Sequence, residues 1–159
     1  MRRVHISISR QTLTCFENDK QVDSFSISSA LNGIGQQSGS GQTPLGEHYI
    51  RAKIGDGQPS CSVFVGRRPT GEIYSSKLAC EFPNRDWILT RILWLCGTQP
   101  GKNRLGSVDS MQRYIYIHGT PDTEPMGVAK SHGCIRMRNL DVLKLYDWVP
   151  KSCPVMIEK

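Results

Sequence analysis

The stretch Tyr114–Met137, YIYIHGTPDTEPMGVAKSHGCIRM, carries the pattern from which both fold and chemistry can be predicted. It opens with alternating residues, so that Tyr114, Tyr116 and His118 share one face of an extended segment. Cys134 follows His118 by sixteen positions, and each is expected at the end of an extended segment. We therefore predict two strands that bring a histidine and a cysteine to one site.

Cys134 is expected to be a nucleophile because of the residues around it. A thiol attacks as the thiolate, and an imidazole within hydrogen-bond reach is the usual device that removes its proton. Gly133 lets a carbonyl group approach closely, and its N–H can join that of Cys134 in binding an oxyanion. Ser131 and His132 crowd against the cysteine and are expected to shape the site.

Two other interpretations compete with this hypothesis. A cysteine is more often a small buried apolar residue than a nucleophile, and we interpret the remaining ones in this way: Cys15, Cys61, Cys80, Cys96 and Cys153. A zinc site could use His118, His132 and Cys134 as ligands. Against it, Gly133 separates the last two, and the sequence has no CxxC or HExxH pattern. No metal and no other cofactor is therefore expected.

The composition limits the class of protein. The 159 residues are 38% hydrophobic and include fifteen glycines and nine prolines, which suits one turn-rich, mainly β domain over residues 1–159. The net charge of +6 comes from scattered basic residues, of which Arg67-Arg68 and Arg136/Arg138 are the close pairs. Nucleic-acid binding usually needs a continuous basic stripe, so no nucleic acid is expected as a partner. An anionic small substrate fits better.

The first residues, MRRVHISISRQTLTCF, alternate in polarity and lack the apolar segment of a signal peptide. No part of the chain approaches the ~18 consecutive apolar residues of a membrane span, so no membrane insertion is expected. The six cysteines show no tight disulfide spacing. We expect a cytoplasmic protein, with a periplasmic one as the alternative if a leader has been trimmed.

Alternating segments predict further strands. A hairpin of two strands is expected first, then three more strands, at Val4–Ile8, Thr12–Phe16, Gln21–Ser28, Gly46–Ile54 and Pro154–Ile157. The glycine-rich segment before the fourth of these is expected to be a flexible loop. A phosphate-binding loop is not favoured, because no GK[ST] sequence follows.

Two segments have helical spacing of apolar residues. In Asp86–Cys96, Asp86 can cap the start and Gly97 can end the helix. The second predicted helix begins at Asn139 as its cap, ends before Pro150, and has an apolar face of Leu140, Val142, Leu143 and Tyr146. The prediction is a mainly β domain with one or two short helices packed on it.

The segment HGTPDTEPMGVAKSHGCIRM resembles the catalytic motif of the YkuD-type L,D-transpeptidases, in which a His-Gly pair precedes [S/T]-H-G-C and then Arg or Asn. GQTPLGEHYI is similar to the TPxGxY/F segment of that family, and the first hairpin is similar to its opening one. The resemblance implies a β-sandwich-like L,D-transpeptidase catalytic domain and a cysteine acyl-transferase that acts on peptidoglycan stem peptides. The segment 84–112 is longer and more helical than the minimal domain needs, and we expect it to form part of the substrate cleft or a lid.

The resemblance also implies a role for each site residue. Cys134 attacks the carbonyl of the third stem residue, an L-centre diamino acid, and expels D-Ala. His118 takes the thiol proton, lowers the thiol pKa below its ordinary ~8.5 and protonates the departing amine, while the Gly119 carbonyl orients its imidazole. Arg136 is expected to bind a substrate carboxylate, with a surface ion pair as the alternative. Tyr116 is a further expected substrate contact.

Three functions remain open at this point. An L,D-carboxypeptidase passes the acyl group to water, an L,D-transpeptidase passes it to an amine and forms cross-links, and a metal-binding module performs no catalysis. The carboxypeptidase is favoured because a cytoplasmic enzyme meets soluble muropeptides from wall turnover. Carbapenem-type β-lactams are expected as covalent inhibitors of either enzyme.

Overall fold

The computed structural model describes all residues, 1–159. Most of its ordered structure consists of ten strands, which are β1 (Arg2–Ser7), β2 (Thr12–Glu17), β3 (Lys20–Ser28), β4 (Gly46–Ile54), β5 (Ser62–Val65), β6 (Arg68–Ile73), β7 (Ile88–Gly97), β8 (Tyr116–Gly119), β9 (Ile135–Met137) and β10 (Pro154–Glu158). Two helices accompany them, α1 (Ser76–Glu81) and α2 (Asn139–Trp148). The five strands predicted from alternation outside the motif are all present, with bounds that differ by at most two residues.

The strands form one mixed sheet that closes on itself. Its order is β4-β10-β1-β2-β3-β9-β8-β7-β5-β6, and an additional pairing of β4 with β7 joins the two ends of the first eight strands. Only β1–β10 and β8–β9 pair in parallel. The β5–β6 hairpin extends outward from β7. The predicted mainly β fold with short helices is thereby confirmed.

The main core lies inside the closed part of the sheet. Alternate residues of β1 and β2 point into it, so that Ile6 and Leu13 are completely buried. Helix α2 contributes Val142 and Leu145 to the same cluster. Fully burying one such side chain is worth about 1.5–3 kcal/mol. This core supports β8 and β9, which contribute Ile117 and Ile135, among others, and carry the motif residues.

The predicted helix over Asp86–Cys96 is wrong, because these residues belong largely to strand β7. Most of this strand is buried, since one face packs in the main core and the other packs in a second cluster with Phe64 and Tyr116. A strand buried on both faces has a nearly continuous apolar sequence, and helical spacing can be found in such a run by accident.

The predicted face and cap of the second helix also need correction. Arg138 is the residue before the first turn, and Asn139 is instead a buried residue whose amide donates to the Thr120 carbonyl at 2.9 Å. Leu140 is 78% exposed, whereas Leu145 is completely buried. The helix itself is present where it was predicted, and its core face is shifted around the axis.

The segment 84–112 is not the helical insertion that was predicted. It contains strand β7 and a loop whose regular structure is a single 3-10 turn at Gly106–Val108. The only additional helix is α1, which lies before this segment and was not predicted. None of the helices has the length and apolar character needed to span a bilayer.

Candidate active site

The SHGC motif lies where β8 and β9 run side by side. These strands pair in parallel, with His118 opposite Arg136. Cys134 directly precedes β9 and lies level with Tyr116, whose backbone N–H donates to the thiol sulfur at 3.3 Å. One strand pairing therefore brings together residues that are sixteen positions apart in the sequence.

A cavity of about 520 Å³ opens beside this pairing. It is lined by all but one of the residues singled out in the sequence, namely Cys134, His118, Ser131, His132, Gly133, Arg136 and Tyr116. The exception is Gly119, which lies beside the cavity and reaches the site through its carbonyl oxygen. The cavity is therefore the candidate active site.

The Cys134 thiol is held between two backbone groups of the neighbouring strand. Its sulfur accepts a hydrogen bond from the Tyr116 N–H, and its S–H donates to the Tyr114 carbonyl oxygen, each at 3.3 Å. Burial raises the pKa of Cys134 to about 12, and the hydrogen bond from the Tyr116 N–H, together with the nearby Arg136 and Arg113, offsets only part of this effect. The direction of this shift is opposite to the lowered pKa expected from the sequence.

His118 is buried, with 2% of its surface exposed, and its ring is fixed by one strong contact. Its Nδ1 lies 2.6 Å from the Gly119 carbonyl oxygen. Because a carbonyl only accepts, Nδ1 carries the proton and Nε2 is left with a free lone pair. Burial also lowers the pKa of His118. The histidine is therefore neutral and able to accept a proton on Nε2.

Gly119 has a packing reason for being glycine. A Cβ at this position would lie 2.5 Å from Asn139 Oδ1 and 2.6 Å from the Leu89 carbonyl oxygen. Contacts this close are not sterically tolerated without a shift of the backbone. The absence of a side chain lets β8 approach β7 and α2 and keeps the Gly119 carbonyl against the imidazole.

The loop before Cys134 is held by two hydroxyl groups. Ser131 Oγ donates to the Cys134 carbonyl at 2.6 Å and accepts from the Gly133 N–H at 3.3 Å. Thr43 Oγ1 donates to the Gly133 carbonyl at 3.0 Å. Gly133 has a φ of +134°, which disfavours any other residue.

These contacts change the expected oxyanion site. The Gly133 N–H is already bound to Ser131, whereas no acceptor within the chain takes up the Cys134 N–H. The amide of Cys134 is thus the free donor next to the sulfur.

Arg136 is the most unusual charge in the site. Only 8% of its surface is exposed, and its guanidinium donates no hydrogen bond within 3.5 Å. Its two nearest carboxylates, those of Asp86 and Glu124, each lie 3.6 Å away. A buried guanidinium normally binds a planar anion at shorter distance. Its donors remain available to a ligand in the cavity.

His132 lies at the rim and does not contact the thiol. Its side chain is 72% exposed, and its Nδ1 lies 3.6 Å from Asp86 Oδ1. Asp86 thus lies between His132 and Arg136 at one end of the cavity. The sequence assigned Asp86 to a helix cap, and it gave no signal for this position.

The residues proposed as zinc ligands do not converge. No group of three or more His, Cys, Asp or Glu side chains has a geometry that could hold a metal ion. His132 is directed to Asp86, and the Cys134 sulfur is directed to the backbone of β8. His118 uses Nδ1 for the Gly119 carbonyl.

Nearly the whole chain is similar in sequence to one protein family. The model of the YkuD family, described as the L,D-transpeptidase catalytic domain, matches residues 1–157. The chain belongs to this family. The resemblance of the motif to the L,D-transpeptidase catalytic domain is thereby confirmed.

Relatives with known names share a short stretch of sequence or the fold. YkuD of Bacillus licheniformis is 46% identical over 46 residues, which are 29% of this chain and 28% of that protein. An L,D-transpeptidase from Mycobacterium smegmatis has a TM-score of 0.58 at 17% identity, over 99% of this chain and 58% of its own. L,D-transpeptidase 3 from Mycobacterium tuberculosis, in complex with a faropenem-derived adduct, has a TM-score of 0.60 at 17% identity, over 99% and 60%. This chain therefore spans less than two thirds of each of these proteins.

The family motif did not point to two arginines that also line the cavity, Arg67 and Arg113. Arg113 donates to backbone carbonyls of the glycine-rich loop, including that of Gln42 at 2.6 Å. It thereby fixes the loop whose Thr43 binds Gly133. The TPxG segment was the only sequence signal for this role.

Proposed function

We propose that this protein is an L,D-carboxypeptidase that releases D-Ala from peptidoglycan stem tetrapeptides by way of a Cys134 thioester. The observation that carries the proposal is Arg136 opposite His118, a buried guanidinium that makes no hydrogen bond and has Asp86 and Glu124 no closer than 3.6 Å. A general acid must lie within hydrogen-bond reach of the amine that departs. Arg136 therefore lies where the carboxylate of an expelled C-terminal residue would be. Such an arrangement suits removal of a terminal residue with a free carboxylate.

The first half of the reaction transfers the acyl group to sulfur. The Cys134 S–H turns from the Tyr114 carbonyl to His118 Nε2. Its proton moves there as the sulfur forms a bond with the carbonyl carbon of the third residue. The resulting oxyanion can be bound by the free Cys134 N–H, and a single donor of this kind is worth ~3 kcal/mol in related chemistry. His118 then gives its proton to the amine as the C–N bond breaks, so D-Ala leaves as a neutral amine.

The second half regenerates the thiol. A water molecule loses a proton to His118 Nε2 and adds to the thioester carbon. The C–S bond then breaks, and the proton on His118 returns to the Cys134 sulfur. The products are the tripeptide and D-Ala, and no other reactant is consumed.

The charges of the cavity favour water over an amine as the acceptor. Three guanidinium groups line it, on Arg67, Arg113 and Arg136, and Asp86 is the one carboxylate among the lining residues. An amine acceptor is mostly an ammonium ion at neutral pH, because its pKa resembles the ~10.4 of lysine. The positive field opposes its entry, whereas water is unaffected. Transpeptidation remains the alternative, because it uses the same nucleophile and base.

Mass spectrometry of a single reaction tests this proposal. The purified protein is incubated with a disaccharide tetrapeptide, with and without a primary amine acceptor, and Cys134→Ala serves as the control. We expect tripeptide and D-Ala in both mixtures and no product with the control. An amine adduct as the main product would make the protein a transpeptidase, and release of D-Ala by the control would contradict the role of Cys134.

Two further expectations belong to the same proposal. β-Lactams of the carbapenem type should acylate Cys134, as the faropenem-derived adduct on the Mycobacterium tuberculosis relative suggests for this family. The protein is expected in the cytoplasm, where its substrate would be soluble muropeptides. Fractionation of cells that express the untagged protein from its own gene tests the location.

A further inference from the structure

The cavity has two chemically different ends along strand β8. Tyr116 and His118 alternate along the strand on the face that lines the cavity. Arg136 and Asp86 lie at the His118 end. Arg67 lies at the opposite end, where its guanidinium donates to the Tyr116 hydroxyl at 3.0 Å. A peptide that binds along this strand would thus pass from one charged end to the other.

Arg67 is fixed in place without an acidic partner. It lies in the turn between β5 and β6 with a φ of 63°, so the turn directs it toward the cavity. Its guanidinium carbon stacks 4.5 Å from the centre of the Trp94 ring and 4.9 Å from that of Tyr114. The Tyr116 hydroxyl is its single hydrogen-bond acceptor, and it makes no ion pair. Since a guanidinium has five N–H donors, most of them are free.

The direction of the peptide follows from the mechanism. His118 protonates the departing amine, so the expelled residue lies at the Arg136 end. The retained part of the peptide must extend the other way, past Tyr116. From His118 to Tyr116 the strand advances two residues, or about 6.8 Å, which is also the length of two residues of an extended peptide. The count starts at the expelled residue, which lies beside His118. Arg67 is therefore close to the residue that precedes the attacked one.

We infer that Arg67 is a specificity-determining residue that binds a free carboxylate on the second residue of the tetrapeptide. This inference rests on the proposed function for the direction of the peptide. The chemistry that Arg67 recognises is a planar anion, for which a guanidinium pre-positioned on two aromatic rings is well suited. A neutral amide at the same place offers only one acceptor and no charge.

A pair of substrates and a pair of variants test the inference. The substrates are two tetrapeptides that differ only in whether the second residue carries a free carboxylate or a primary amide. The variants are Arg67→Gln and its matched control Arg68→Gln, since Arg68 is exposed and does not line the cavity. Binding is measured by calorimetry in a Cys134→Ala background, and D-Ala release is measured with the thiol present.

The unaltered chain should bind the free-carboxylate peptide about tenfold more tightly than the amide, as one charge-assisted contact predicts. Arg67→Gln should remove this preference by weakening only the free-carboxylate peptide, in Kd and in KM, with kcat nearly unchanged. Arg68→Gln should keep the preference. If Arg67→Gln weakens the binding of both peptides equally, Arg67 merely holds the hairpin on Tyr116 and the inference is overturned. The inference is also overturned if Arg67→Gln keeps the preference unaltered.

The same experiment separates this inference from the proposed function. If the preference depends on Arg67 but no D-Ala is released, the carboxypeptidase proposal fails and the carboxylate site stands. If D-Ala is released and the two peptides bind equally well, the carboxypeptidase stands and the carboxylate site fails. Binding of neither peptide at millimolar concentration would overturn the carboxylate site.

Discussion

Cys134 should remain a neutral thiol in the resting protein at neutral pH. Burial raises its pKa to about 12, which leaves a thiolate fraction of about 10⁻⁵ at pH 7. At about 1.4 kcal/mol for each pH unit, ionising the isolated thiol at pH 7 requires on the order of 7 kcal/mol. Transfer of the proton to His118 during attack avoids this charge separation in the resting state. The reactivity of the thiol toward a small electrophile should therefore be low.

Alkylation by iodoacetamide measures this directly. The assay uses a Cys61→Ser, Cys80→Ser background, because these two cysteines are more accessible than the three buried ones, and follows the mass of the intact protein. The rate at Cys134 should increase about tenfold per pH unit up to about pH 10, since only the thiolate reacts. His118→Ala should alkylate at a similar rate, and its D-Ala release should fall by about 10²–10⁴-fold, as expected when a general base is lost.

The pH dependence of turnover should follow the base and not the thiol, so it should become level at a much lower pH than the alkylation rate. Burial lowers the pKa of His118, and the base acts in its neutral form. The value of kcat/KM should therefore increase with pH below the ordinary histidine pKa of ~6.5 and be level above it. An alkylation rate that reaches a plateau near neutral pH would demonstrate a stable thiolate–imidazolium pair and refute this reasoning. So would a kcat/KM that increases through a pKa near ~8.5.

Three further outcomes are expected. Arg136→Gln should lower kcat/KM by about 10- to 100-fold for a tetrapeptide with a free terminal carboxylate and much less for its terminal amide, whereas the exposed Arg138→Gln should affect neither. A carbapenem should add one adduct mass to the intact protein, and peptide mapping should place it on Cys134; an adduct on another cysteine would refute the site. His48 is buried against Ser110, which lowers its pKa to about 4. In the unfolded chain this histidine binds a proton below its ordinary pKa of ~6.5, whereas in the folded chain it does so only near pH 4. Acidification to about pH 4 should therefore reduce the free energy of unfolding by up to about 3 kcal/mol. Urea titrations of the unaltered protein and His48→Gln measure this loss, which should be smaller in the variant.

The local sequence pattern was sufficient to predict the secondary structure wherever a segment has one face in the core and one face outside. The strands at both ends of the chain alternate for this reason, and they were predicted within two residues of their bounds. Strand β7 was mistaken for a helix because it packs in two apolar clusters, so its sequence has no polar face. The second cluster contains Phe64 from β5, a strand that was not predicted, and Tyr116 from β8, which is distant from β7 in the sequence.

The candidate site, too, could be predicted from the sequence only in part. Cys134, His118 and the residues of the SHGC loop were identified from the sequence because their chemistry is local, and one strand pairing brings them together. The pKa of Cys134 was expected to be lowered, whereas its surroundings in the fold raise it. The thiol contacts the backbone of β8 and of the segment before it, and no local pattern encodes these contacts.

The sequence by itself determined the family and the mainly β architecture, and it named Cys134 and His118 as the candidate nucleophile and base. These follow from residue types at short spacing, where covalent geometry already limits the arrangement. Only the tertiary structure decided that His132 lies at the rim, that Arg136 is buried without a hydrogen-bond partner, and that Arg67 reaches the far end of the cavity. Those properties arise from strands that meet across the closed sheet, because burial and charge at one position are set by residues distant in the chain.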